Sequence, residues 1–402
     1  MSHWLRALVL LLAACGPAAA DTGRVRPVPT PAIPGAALQP LAFPAVAGWV
    51  QDDAPAAFAT FRASCGALAV TPKEVGPASN TTLVPGLRTA CAAARAVSGA
   101  LGGHAPSQQV ARLFFEANFR AYRIVPEANP PGFLTGYYEP EVDGSPVRTA
   151  RFTVPIYGRP ADLIALRPPA DGNRGQVMRK EGDVLVPYYD RAAIEDGALA
   201  GKGLEVAWIE HPVDLFFMQI QGSARIRLAD GGVLRLNYDG HNGYSYLPVG
   251  RLLIQRGLVP REDMSMDRIR RYIEADPAAG RALMRENRSF VFFKAVPLSG
   301  TDGALGAQGV PLTPGRSIAV DRALHAYGTP VFIEAELPLE GDSDRAPFRR
   351  LMIAQDTGSA IVGPARADLF FGAGTGPGLV AGRIRHPGTF TLLVPRFESR
   401  AP

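Results

Sequence analysis

Glycine and proline interrupt this chain at about one position in five, 43 and 37 of its 402 residues, with no triplet period. Such punctuation is incompatible with a long-helix bundle and favours many short strands joined by turns. At 47% apolar and 20% charged residues the chain can still build true cores, which excludes wholesale disorder. Its length fits two or three folding units at about 150 residues each.

Charge and chemistry-bearing residues narrow the function. A formal net charge of +5 with no block of like charge gives no footprint for nucleic acid. Three cysteines make neither a disulfide framework nor a four-ligand zinc site. The six histidines (His3, His104, His211, His241, His325, His386) show no ligand or triad spacing, so neither metal nor other cofactor is expected.

The patterning predicts helices over Ala54–Cys65, Leu87–Val97 and Ser107–Tyr122, the last capped by Ser107. Strands are predicted at Phe133–Tyr138, Phe152–Tyr157, Val184–Tyr188, Leu204–Ile209, Phe216–Gln221 and Val233–Tyr238. Asp230-Gly231-Gly232 is a hairpin turn between Ala224–Leu228 and Val233–Asn237. Helical patches at Met266–Ala275 and Ala279–Arg285 precede strands at Ser289–Ala295, Ile318–Val320, Val331–Glu334, Leu351–Gln355 and Thr389–Val394.

Two short motifs invite misreading. Asp356-Thr357-Gly358-Ser359 matches the aspartic-protease signature, but the shared-proton dyad needs a second such loop, and the chain has none. Gly372-Ala373-Gly374-Thr375-Gly376 lacks the lysine of a phosphate loop and reads as a flexible loop. Three carboxylates stand out instead: Asp321 and Asp356 at strand ends, and Asp368 in Arg366-Ala367-Asp368-Leu369-Phe370-Phe371. Asp356, in a Thr-Gly turn, is expected to accept backbone N–H bonds that favour its ionised form. Asp368, among apolar neighbours, is the candidate for desolvation and a raised pKa, as a general acid requires. On the residues alone, the alternative that all three merely fix turns stays open.

The segment Leu351–Phe371, with Gly309–Asp321 before it, resembles the three-aspartate (3D) domain. Upstream lie Thr135-Gly136-Tyr137-Tyr138-Glu139-Pro140, Pro212–Ser223 and Gly240-His241-Asn242-Gly243. In this order, over roughly residues 110 to 395, they resemble the membrane-bound lytic murein transglycosylase A family (MltA). Departures from its pattern at Ala224, Tyr189-Asp190-Arg191 and Ser359 leave the three aspartates untouched. The resemblance implies a mainly β fold with some α: a double-psi β-barrel, a second β-domain inserted into it, and a deep groove between them. It places the barrel in residues 41–140 plus 299–402, with the 3D motif at about 310–395, and the insert in 141–298. It implies cleavage of the β-1,4 bond between N-acetylmuramic acid and N-acetylglucosamine in peptidoglycan, as a lyase-type exotransglycosylase leaving 1,6-anhydro ends. Asp368 would be the acid and base, Asp356 and Asp321 its supports, and Thr135, Gly136, Tyr137, Glu139, Gln219 and Gln221 the groove lining. Ordinary sheet aromatics and satisfied strand glutamines are the plainer alternative for that lining. The rivals are a two-carboxylate muramidase and a non-catalytic wall-binding lipoprotein.

The N-terminus reads as an address. Met1–Ala14 is a signal peptide whose apolar run is far below the ~20 residues that cross a bilayer. Leu12-Ala13-Ala14-Cys15-Gly16 resembles a bacterial lipobox with Cys15 lipidated, which would hold the protein in the outer-membrane lipid facing the periplasm, on a Pro/Ala-rich tether over 15–40. Cleavage after Ala20 is the competing reading. In an oxidising periplasm Cys65 and Cys91 are free to pair; two buried thiols are the alternative. The expected partners are glycan strands and possible cell-wall enzymes, with the chain itself monomeric.

Overall fold

The computed structural model describes residues 26–27, 30–70, 81–127, 131–166, 176–341 and 345–398. The signal peptide, Cys15 and the Ala20 site lie outside the described residues.

Six strands close into a barrel: Gly132–Glu139, Ser317–Val320, Pro330–Leu337, Ala346–Asp356, Arg366–Ala373 and Arg385–Pro395. Closure comes from Pro330–Leu337, which pairs antiparallel with both Ala346–Asp356 and Arg385–Pro395. Ser317–Val320 runs parallel to Ala346–Asp356, and Arg366–Ala373 parallel to Gly132–Glu139. Parallel neighbours demand long crossovers, and the second of these crossovers carries the inserted unit. By register Leu134, Ile318, Val331, Met352, Ala367, Leu369 and Leu392 share the inward face of these strands, all buried, while Phe332 faces outward against Trp49.

Three helices pack outside it, at Ala54–Ala69, Val84–Ala100 and Gln108–Asn118. Their aromatic seam is edge-on, with Phe58 and Phe114 centroids 4.9 Å apart and Phe61 and Phe119 5.7 Å apart. The Cys65–Cys91 disulfide joins the first two helices. Ser107 caps the third, its hydroxyl accepting from the Val110 N–H. That helix stops four residues earlier than its periodicity suggests, because Phe119–Pro126 pairs antiparallel with Arg385–Pro395. On the other side of Phe119–Pro126 lies Ala36–Leu41. The tether expected over 15–40 therefore ends sooner: Ile33 is buried in the core and Ala36–Leu41 is sheet.

The inserted unit is a six-stranded sheet in the order Val291–Ala295, Val233–His241, Ser223–Arg227, Glu141–Ser145, Glu205–Ile209, Val154–Tyr157. Its own core includes Ile156, Ile209, Met218, Ile226, Leu236 and Phe292. The hairpin at Asp230–Gly232 forms as read, with Gly231 at φ +84°. One strand expectation is overturned. Phe216–Gln221 lies in a helix, Pro212–Gln221, opened by Pro212 and closed by Gly222 at φ +83°. Proline in the first turn and a left-handed glycine past the end are helix punctuation. Val213, Phe216 and Phe217 bury its i, i+3, i+4 face against the helices Val249–Gln255, Met266–Ala275 and Pro277–Glu286.

Candidate active site

Arg366–Ala373 lies between Ser317–Val320 and Gly132–Glu139, so Asp368 stands in register with Ala319 on one side and Thr135 on the other. The Thr135 hydroxyl donates to Asp368 Oδ1 at 2.6 Å, and Arg366 Nη2 donates to that hydroxyl oxygen at 2.7 Å. Asp368 is half-buried. Burial pushes its carboxyl above the usual range, opposed by the Arg366 charge and the Thr135 bond. No donor to its Oδ2 is found among the described residues.

Asp356 closes Ala346–Asp356, on the far side of Ser317–Val320 from the Asp368 strand, and is saturated. Tyr137 Oη donates to its Oδ2 at 2.9 Å, while the Ala307 and Thr357 N–H groups both donate to Oδ1 at 2.9 Å. The expected backbone N–H bonds form and favour the ionised carboxylate. Burial outweighs them and, with a contribution from the nearby Asp368 charge, lifts it to about 6. Burial and the Asp356 carboxylate likewise raise the Tyr137 phenol. Asp321 holds a turn: its Oδ1 accepts from Ala323 N–H at 3.0 Å and its Oδ2 from Gly363 N–H at 2.9 Å.

The proposed lining residues divide. Thr135 and Tyr137 meet the two acids. Glu139 does not line a groove: it is 1% exposed and shared by Arg225 at 2.8 Å and Arg235 at 2.9 Å. Gln219 is also buried, accepting from Arg191 at 2.7 Å and donating to the Val291 carbonyl at 3.1 Å. Gln221 accepts from the Tyr138 N–H at 3.1 Å, tying its helix to the barrel strand. Gly136 is a packing residue, since a Cβ there would sit 2.8 Å from the backbone of Ala381. The helix carrying Ala381, Thr375–Arg383, also corrects the reading of Gly372–Gly376 as a flexible loop. Gly374, at φ +87°, is its N-cap, and the Gly374 N–H donates to the Glu139 carbonyl at 3.0 Å.

A cavity of about 1250 Å³ is lined by Tyr138, Gly378, Arg385 and His386 of the barrel unit and by Asp214 and Arg270 of the insert. None of the six lining candidates borders it, nor do Asp356 and Asp368. Alternate residues of a strand face opposite ways, so Tyr138 looks into this cavity while Thr135 and Tyr137 look toward the acids. Among the described residues no cluster of three or more His, Cys, Asp or Glu could hold a metal ion.

Arg366 is the residue the sequence reading passed over. A signal existed: two positions before Asp368 on a strand, it must share that carboxylate's face. The signal is masked because Arg366–Phe371 reads as a motif, with no strand pattern of its own.

Fold and site together define a closed barrel with an inserted sheet and two neighbouring strand-borne acids. The family model described as the MltA specific insert domain matches residues 133–294, and the 3D domain matches 316–394. The membrane-bound lytic murein transglycosylase A of Vibrio cholerae is 37% identical over 260 residues, 63% of each chain. The matched part thus spans slightly less than two thirds of the length of that curated relative. The crystal structure of a membrane-bound lytic murein transglycosylase from Agrobacterium tumefaciens is 35% identical with a TM-score of 0.77, covering 89% of this chain and 98% of that one. Escherichia coli MltA with bound chitohexaose is 28% identical with a TM-score of 0.63, covering 95% and 98%. The chain belongs to the membrane-bound lytic murein transglycosylase A family.

Proposed function

We propose that this protein cleaves the β-1,4 bond between N-acetylmuramic acid and N-acetylglucosamine in peptidoglycan without consuming water. The observation that carries the reading is the inequality of its carboxylates. Asp368 offers one oxygen with no donor among the described residues, whereas Asp356 and Glu139 have both oxygens engaged. A hydrolase of either stereochemistry ordinarily needs two working carboxyl groups. A transglycosylase needs one, because its nucleophile is the C6 hydroxyl of the same muramic residue, already held near C1. Protonated Asp368 gives its proton to the glycosidic oxygen as the C1–O bond breaks. The C6 oxygen then bonds to C1, its proton passes to the Asp368 carboxylate, and a 1,6-anhydro ring remains. The names of the relatives and the chitohexaose in the E. coli structure support a polymeric amino-sugar substrate.

Mass spectrometry of digested, purified peptidoglycan tests this reading, with anhydro-muropeptides as the expected product. Asp368→Asn should lower turnover by at least the 10²–10⁴-fold typical of a lost acid–base group, with thermal unfolding unchanged. Products ending only in reducing muramic acid would overturn the transglycosylase reading.

The membrane-bound names of the relatives support membrane association, and among the described residues no helix is long and apolar enough to cross a bilayer. We infer that a lipid on Cys15 supplies the anchor to the outer membrane, with the body in the periplasm. Cys15→Ala should move the protein into the soluble fraction or leave the precursor; unaltered membrane fractionation would refute the anchor.

A further inference from the structure

We propose that Arg366 is a positioning residue: it fixes the direction of the Thr135 hydroxyl proton, and so decides which oxygen of Asp368 carries the catalytic proton. The inference rests on the transglycosylase reading above.

A threonine hydroxyl has one proton to give and lone pairs to accept with, whereas a guanidinium only donates. With Arg366 Nη2 2.7 Å from Thr135 Oγ1, that oxygen must accept from Arg366. Its single proton is then committed to Asp368 Oδ1, 2.6 Å away. Because Oδ1 is already an acceptor, the acid's own proton belongs on Oδ2, the oxygen with no donor among the described residues. Without Arg366 the hydroxyl is free to rotate and accept from protonated Asp368. The proton would then sit in an internal hydrogen bond on Oδ1, away from the substrate.

The guanidinium is itself held in place. Arg366 pairs in register with Phe133 across parallel strands, and its Cζ lies 5.4 Å from the centroid of the Phe133 ring. Its Nη1 also donates to the Ala367 carbonyl. Strand alternation sets Arg366 and Asp368 on one face. The arrangement has a second consequence, since the same positive charge favours the carboxylate left after proton donation.

The test uses the full-length protein on purified peptidoglycan, following kcat, KM and the pH profile. Arg366→Met should lower kcat about 10- to 100-fold, a share of what acid–base assistance supplies, with KM little changed. It should also move the basic limb of the kcat profile to higher pH, because the cation opposing protonation of Asp368 is gone. Arg366→Lys keeps the charge and should return the limb toward its original position, with only part of the rate. Thr135→Val should lose about as much as Arg366→Met, and the double variant little more, because both break one chain of hydrogen bonds.

A folded Arg366→Met with unchanged kcat and unchanged limb would overturn the proposal, as would fully additive losses in the double variant. If Arg366→Met does not fold, Arg366→Lys and Thr135→Val decide on the same criteria. These outcomes are separable from failure of the functional reading, which the unaltered protein reports through the presence or absence of anhydro products.

Discussion

Asp356 and Asp368 are twelve residues apart in sequence and close in space, yet their surroundings differ because their partners differ. Desolvation of Asp368 was legible locally, from Leu369, Phe370 and Phe371 beside it. The surroundings of Asp356 were not, because its partners Ala307 and Tyr137 lie 49 and 219 residues away. Burial pushes its carboxyl up to about 6 in the folded protein from an ordinary 3.8, so between these values the folded state holds a proton that the unfolded chain has released. Stability contributed by that proton is present at low pH and falls as pH rises through the window, by on the order of 3 kcal/mol. Asp356→Asn should flatten part of this decline, since the amide does not titrate. Its oxygen still accepts from Ala307 and Thr357, and its NH₂ donates to Tyr137. Some slope should remain, because Asp368 is raised in the same direction. Asp356→Ala should be worse at every pH, as it strands two backbone N–H groups at about 1–3 kcal/mol each. Urea unfolding from pH 4 to 7 measures both; an Asn variant with the original slope would contradict the assignment.

Elements were legible where one period acted alone. The strands near Leu351 and Val331 and the Asp230 hairpin emerged because alternation and turn chemistry agreed with the final pairing. Misreadings arose where tertiary pairing or punctuation overrode composition. Aromatic, β-branched Phe216–Gln221 looks like a strand, yet Pro212 and Gly222 frame it as a helix whose apolar face is needed by three others. Phe119–Tyr122 continues a helical pattern, yet Phe119–Pro126 joins a sheet with a strand from the far end of the chain. The glycines at 372–376 read as slack but make a strand-to-helix corner, and that helix reaches Gly136 because no side chain stands between them. The site inherits this pattern: Asp368 is legible as a motif, while the strand that aligns it with Thr135 and Arg366 is not.

Across the whole molecule, barrel and insert are joined where the chain leaves one for the other and where it returns, and both crossings meet at Glu139. The carboxylate ends the barrel strand just before Pro140 and accepts from Arg225 and Arg235 of the inserted sheet. Arg225 also donates to the Gly300 and Asp302 carbonyls, and Arg235 to the Ser299 carbonyl, all on the returning segment. With Glu139 1% and Arg235 2% exposed, the ions are out of water, so their value lies in being mutually satisfied. Nothing in the sequence links residue 139 to 225, 235 and 299–302, which is why Glu139 looked like a groove residue. Glu139→Gln keeps the shape but leaves the buried Arg235 and the part-buried Arg225 guanidinium without a counter-charge. Breaking one partner of such a cluster costs about 3–5 kcal/mol, and the loss should show as a lower denaturant midpoint. Hydrogen exchange should then rise first along Ser223–Arg227 and the 299–302 return, while Ile318, Ile353 and Leu393 in the barrel keep their protection. A loss no larger than about 0.5 kcal/mol, the usual scale of a surface substitution, would mean that the two sheets are held together by something other than this ion cluster.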